Sequence, residues 1–129
     1  MVELNPVKAA KTMLTDADIQ QLDSIFSNNV PKENVNDVEH TTVRISEARN
    51  EPVEFGNNKF HALDQSVECQ IFWAITLNED VVPVELTVMR LFEQAGWTIR
   101  RAEPHTIDPD TGQLTKTFYF DRYIQLKED

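Results

Sequence analysis

The chain has 129 residues, 40 % of them hydrophobic, so a single globular domain spanning 1–129 is the expected organisation. Twelve Lys and Arg against 22 Asp and Glu give a net charge of −10, which argues against a basic cleft for nucleic-acid phosphates. Three glycines (Gly56, Gly96, Gly112) exclude glycine-rich phosphate loops, and the single Cys69 excludes an internal disulfide or a C-x-x-C zinc pair.

In chain order, Asn5 is a good N-cap and Pro6 suits the first helical position, where its missing N–H costs nothing. Val7, Ala10, Met13 and Leu14 then share one face, which predicts a short amphipathic helix. Lys8 and Lys11 are not followed by the apolar run of a signal peptide, so secretion by that route is not expected. Ile25-Phe26 reads as a short strand ending before Asn28-Asn29-Val30-Pro31, and 32–40 as a polar loop.

Thr41 to Ser46 alternates with period two and is β-branched, which predicts a strand. The stretch from Glu47 to Gln65 is polar and reads as a long loop, interrupted by Phe55-Gly56-Asn57-Asn58-Lys59-Phe60. Two aromatics bracketing Gly-Asn-Asn predict a hairpin or an exposed loop with a tight turn. Ser66 to Leu77 is the clearest strand: Val67, Cys69, Ile71, Trp73, Ile75 and Leu77 point one way, Ser66, Glu68, Gln70 and Thr76 the other. Its apolar run from Ile71 to Ile75 is the longest in the chain and far short of a membrane span.

Asp80 and Pro83 open a second helix with an apolar stripe of Val84, Val88, Leu91, Phe92 and Ala95, closed by Gly96. Trp97 to Ala102 predicts a strand with Trp97, Ile99 and Arg101 on one side. Asp108-Pro109-Asp110-Thr111-Gly112 is dense turn chemistry, and Leu114 to Ile124 a long closing strand. Two amphipathic helices with one mostly antiparallel sheet predict an α+β two-layer sandwich.

Candidate chemistry is sparse. Cys69 shares a face with Val67, Ile71 and Trp73, where a free cysteine acts as a small hydrophobe rather than a nucleophile. His40, His61 and His105 have no metal-ligand spacing. Counted from Asp108 as a calcium loop, glycine falls at the fifth position instead of the sixth, and the twelfth is Tyr119 instead of a glutamate. No catalytic, cofactor-binding or metal-ligating residue is assigned. Phe55 and Phe60 have two readings: an exposed partner surface, or rings folded back over the second face of the central strand.

The chain resembles a family of small tail components encoded by long-tailed phages and prophages of Gram-positive bacteria. The resemblance rests on the strand Ser66–Leu77, the helix ending Leu91-Phe92-Glu93-Gln94-Ala95-Gly96-Trp97, and the Asp108-to-Gly112 turn before Leu114-Thr115-Lys116-Thr117-Phe118-Tyr119-Phe120. Asn5-Pro6-Val7-Lys8-Ala9-Ala10 and Phe55 to Phe60 add to it; between Asp16 and Arg49 only the arrangement of elements matches. It implies a virion structural protein without enzyme activity or cofactor, assembled in the bacterial host cytoplasm and located in the virion tail. The element order is also similar to tail terminators, which implies a ring, often hexameric, touching the tail-tube protein on one side and the head connector on the other. DNA would pass through such a ring without specific binding, and no membrane would be involved.

The candidate partner interface is therefore Phe55, Gly56, Asn57, Asn58, Lys59 and Phe60 with Asp108, Pro109, Asp110, Thr111 and Gly112. The alternatives are a head–tail connector or stopper and, from a different class, an acidic DNA-mimic inhibitor of a DNA-binding enzyme. An enzyme with a site assembled across the fold ranks behind both.

Overall fold

In the computed structural model, which describes residues 2–127, α1 spans Pro6–Ala17 and starts where its capping chemistry dictates. Asn5 Oδ1 accepts from the N–H groups of Val7 (3.1 Å) and Lys8 (3.2 Å), two of the donors that a helix start leaves unpaired. The chain continues through β1 (Ser24–Ser27), a one-turn helix α2 (Lys32–Val35), β2 (Thr42–Gly56) and β3 (Lys59–Phe72). It closes with α3 (Val82–Gln94), β4 (Thr98–Ala102), β5 (Thr106–Ile107) and β6 (Leu114–Gln125). Asp80 Oδ1 accepts the Val82 N–H at the start of α3. Gly96, at φ +93°, ends the helix, and the Trp97 N–H reaches back to Phe92 O.

The strands form one open sheet in the order β1-β2-β3-β6-β4, with β5 alongside β6. β1 and β2 run parallel; the other pairings are antiparallel. One sheet face carries Val43, Ile45, Val67, Cys69, Ile71, Phe118 and Phe120, all buried against Val7, Ala10 and Leu14 of α1 and Val88 and Phe92 of α3. The fold is therefore α+β with both longer helices on one face, as the sequence pattern predicts. No helix among the described residues is long and apolar enough to cross a membrane.

Several expectations are corrected. The polar stretch 47–65 is no loop: its residues are rungs of β2 and β3, paired from Thr42↔Phe72 to Gly56↔Lys59. A bulge between Glu47 and Arg49 shifts the register by one, and beyond it the rungs bury Ala62, Gln65 and Ser66 but no alternating apolar row. The expected strand Ser66–Leu77 stops at Phe72. Trp73 is still buried, but Ile75 is 56 % exposed and its N–H bonds Val38 O, outside the sheet. The loop 32–40 contains α2, and β5 adds two residues of strand where none is predicted. A second bulge, between Ile99 and Arg101, breaks the alternation of β4 and sets both Arg100 and Arg101 over the Tyr119 ring at 5.0 Å.

The helical layer is seated by aromatics. Phe92 stacks on Phe120 at 3.7 Å between centroids, nearly parallel, and meets Trp97 edge-on at 5.7 Å. Phe92→Ala should lower unfolding free energy by about 3–5 kcal/mol, measured by urea denaturation.

Candidate functional site

The predicted interface splits into two separate places. At the far end of the β2–β3 arm, Asn57 and Asn58 form a two-residue turn, both at positive φ (53° and 65°), the conformation that tight hairpins require and asparagine tolerates. Phe55 and Phe60 face each other across the last rungs with rings 6.4 Å apart and edge-on. They are 72 % and 42 % exposed, so of the two readings the structure places them at an exposed tip, away from the central strand. The His61 Nε2–H donates to Gly56 O at 3.1 Å, and a Cβ at Gly56 would lie 3.4 Å from that same nitrogen. Lys59 pairs opposite Gly56. The arm is braced nearly to its tip by β6, which pairs with β3 down to Ala62↔Gln125, and by the Leu126 N–H on His61 O.

The second segment is a preformed turn. The Asp108 carboxylate accepts from the Asp110 N–H (3.1 Å) and the Thr111 hydroxyl (3.0 Å), while Gly112, at φ +76°, donates its N–H to Asp108 O. Asp108 N–H donates to Gln113 O, closing the turn that begins with Pro109. The Asp108 side chain is thus committed to the turn rather than free for a ligand. Gln113 is buried and donates to Trp73 O, which fastens the turn to the end of β3.

These two segments lie at opposite poles. Phe60 is the second residue of β3 and Phe72 its last, and Thr115, next to the turn, pairs with Phe72. At ~3.3 Å per residue the poles are about 40 Å apart. Beside the turn is an open cavity of about 290 Å³, lined by Val30, Val35, Thr42, Arg44 and Phe72 together with residues of the turn.

The sheet face away from the helices is covered by paired charges. Arg49 meets Asp64 (3.0 Å) and Asp121 (3.5 Å), Arg100 meets Asp121 (3.2 Å), and Arg44 bonds Gln70 (2.7 Å) beside Glu68 (3.9 Å). Burial works to raise the Asp121 carboxyl, but the Ser66 hydroxyl, Arg100 and Arg49 outweigh it and hold it below its ordinary value. Asp64 conversely holds the Arg49 guanidinium above its own ordinary value.

Residues 4–125 match the model of the family described as Protein of unknown function (DUF806). The chain belongs to that family. No curated protein matches it. The match runs from just ahead of α1 to the last residue of β6, so it includes the arm, the turn and the open sheet face.

The remaining candidate groups are held apart. Burial pushes the Cys69 thiol up to about 12, so it stays protonated in the core. His40 sits on Asp37 at 2.9 Å, and that hydrogen bond raises its pKa. Among the described residues no three His, Cys, Asp or Glu side chains are grouped to hold a metal ion.

Sequence reasoning missed Glu85, which is 2 % exposed in the first turn of α3. It accepts the Trp73 indole N–H at 2.9 Å and the His105 Nε2–H at 2.8 Å, tying α3 to the end of β3 and to the segment leading into the Asp108 turn. The only available signal was Trp73 itself, since a buried indole N–H needs an acceptor, and no spacing rule names which one. Glu85→Ala should cost about 2–3 kcal/mol by orphaning the Trp73 N–H, whereas Phe55→Ser with Phe60→Ser should change stability by less than about 0.5 kcal/mol. Thermal and urea unfolding of the two variants checks both values.

Proposed function

We propose that this chain is a structural component of a phage or prophage tail, a tail terminator or tail-completion protein that assembles as a ring at the head-proximal end of the tail tube. One observation carries the reading: the two segments expected to touch partners project from opposite poles of a rigid sheet. A terminator must hold two different partners on its two sides, and a stiff body with a contact element at each end meets that need. The arm tip supplies apolar area on a braced hairpin, and the Asp108–Gly112 turn supplies a polar, preordered knuckle. Aromatic residues, phenylalanine among them, are enriched at protein interfaces. The resemblance to small tail components supports the same assignment, and with it location in the virion tail after assembly in the host cytoplasm.

Catalysis has no part in this proposal. The ring holds the tail-tube protein and the head connector, and DNA passes its lumen, where a net charge of −10 per copy disfavours adhesion of phosphates. A head–tail connector or stopper would use the same two poles with the partners exchanged. The open sheet face disfavours a DNA mimic, because Arg44, Arg49, Arg100 and Arg101 interrupt the acids there.

Co-purification with the tail-tube protein and the connector protein of the same genome tests the reading. The wild-type chain should bind the tube, and Phe55→Ser with Phe60→Ser should weaken that binding at least about tenfold while folding is kept. Binding to neither protein overturns the proposal. Unchanged binding by the double variant removes the arm from it, and binding to the connector alone moves the chain to the neck.

A further inference from the structure

Among the described residues the sheet is open at both ends: β1 is hydrogen-bonded only to β2, and β4 only to β6. We propose that these two edges pair with each other across neighbouring copies of this chain, β4 of one copy against β1 of the next, so that one sheet continues around a closed ring. The inference deepens the ring reading above and rests on it for closure.

Topology supplies the first argument. β1 and β2 run in one direction, β3 in the opposite one, β6 in the first again, and β4 against it. β4 and β1 therefore point opposite ways. Rotating a copy about an axis along the strands preserves those directions, so its β1 meets the preceding β4 antiparallel, the stronger of the two pairings. The lengths agree, four residues against five, and every copy keeps its helices on the same side. Such a head-to-tail contact closes into a ring when the rotation divides the circle. The axis also places all arm tips on one rim and all Asp108–Gly112 turns on the other.

Charge supplies the second argument. An exposed edge strand invites pairing with any copy, and natural edges are blunted by bulges and charges. β4 has both, a bulge and the adjacent Arg100 and Arg101, which pair with Asp121 and Glu103 of the same chain, so two β4 edges meeting would still bring four guanidinium groups together. β1 reads Ser24-Ile25-Phe26-Ser27, without charge or proline, and is set in acidic surroundings: between residues 16 and 39 there are six acids and one lysine. Like charge thus opposes β4–β4 and β1–β1 contacts while opposite charge favours β4–β1.

Cross-linking tests the pairing. Ser24→Cys and Ala102→Cys put thiols at the start of β1 and the end of β4, positions that meet in an antiparallel pair, while Cys69 is buried and does not compete. Within one chain the two edges are four strand spacings apart, about 19 Å, beyond a short bis-maleimide. The double-cysteine chain, alone or bound to the tube protein, should give a ladder ending in one closed species, and a mixture of the two single variants should stop at dimers. Adding Arg100→Glu with Arg101→Glu should cut the yield roughly tenfold, with the fold checked by circular dichroism. A ladder in neither condition overturns the pairing, as does Ala102→Cys alone cross-linking as well as the double variant. Wild-type multimers by light scattering without a ladder overturn it and leave the ring. A ladder on a chain that binds neither the tube nor the connector protein supports the pairing and sinks the tail assignment instead.

Discussion

Packing of α3 on the sheet through Phe92 and Phe120 sets the position of everything else in this molecule. The two rings lie flat on each other with Trp97 against the edge of Phe92, and this cluster fixes which sheet face is covered. Once the helices take that face, the other must survive without a second layer. It does so with a lattice of arginines and carboxylates whose aliphatic stems and shared hydrogen bonds cover the strands. Glu85 belongs to the same constraint. A carboxylate this deep is stable because Trp73 and His105 both donate to it, and their donation draws the segment before the Asp108 turn onto the body.

The arm follows from sheet pairing rather than from a core. Few of its side chains are both apolar and buried, yet β6 flanks β3 nearly to the tip and supplies hydrogen bonds on the second side. A two-stranded hairpin alone is marginal in water; a braced one is stiff. Stiffness matters for the proposed role, because a projecting element already in its bound shape loses little entropy on docking. The polar turn at the other pole reaches the same end through the Asp108 carboxylate, which orders its own loop.

The proposed tail role and the proposed edge pairing use different parts of the molecule. Docking depends on the poles, at the ends of the strands, and self-assembly on the edges, at the sides of the sheet. Under both proposals their perpendicular arrangement would let one small domain be both ring segment and two-sided adaptor, since partners along the axis would not compete with neighbours around it.

Much was legible in the residues themselves. Asn5-Pro6, Asp80 and Gly96 marked helix ends because capping is local chemistry, and the alternation from Val67 to Trp73 announced a strand with one buried face. Phe55 to Phe60 announces a tight turn, while the polar residues 47–65 around it read as a loop and are paired strand. That difference, the early end of β3 and the displaced Arg101 have one cause. Strand pairing, bulges and the reach of a neighbouring strand are settled by partners distant in the chain, and a polar strand held by hydrogen bonds has no hydrophobic period to betray it. By itself the sequence determined the class of fold, the starts of the two longer helices and the two local turns at 55–60 and 108–112, because those depend on neighbours a few residues away. Only the tertiary structure decided that the segments stand at opposite poles, that Glu85 is buried, and that the two open edges run in opposite directions, because each depends on which strands lie side by side.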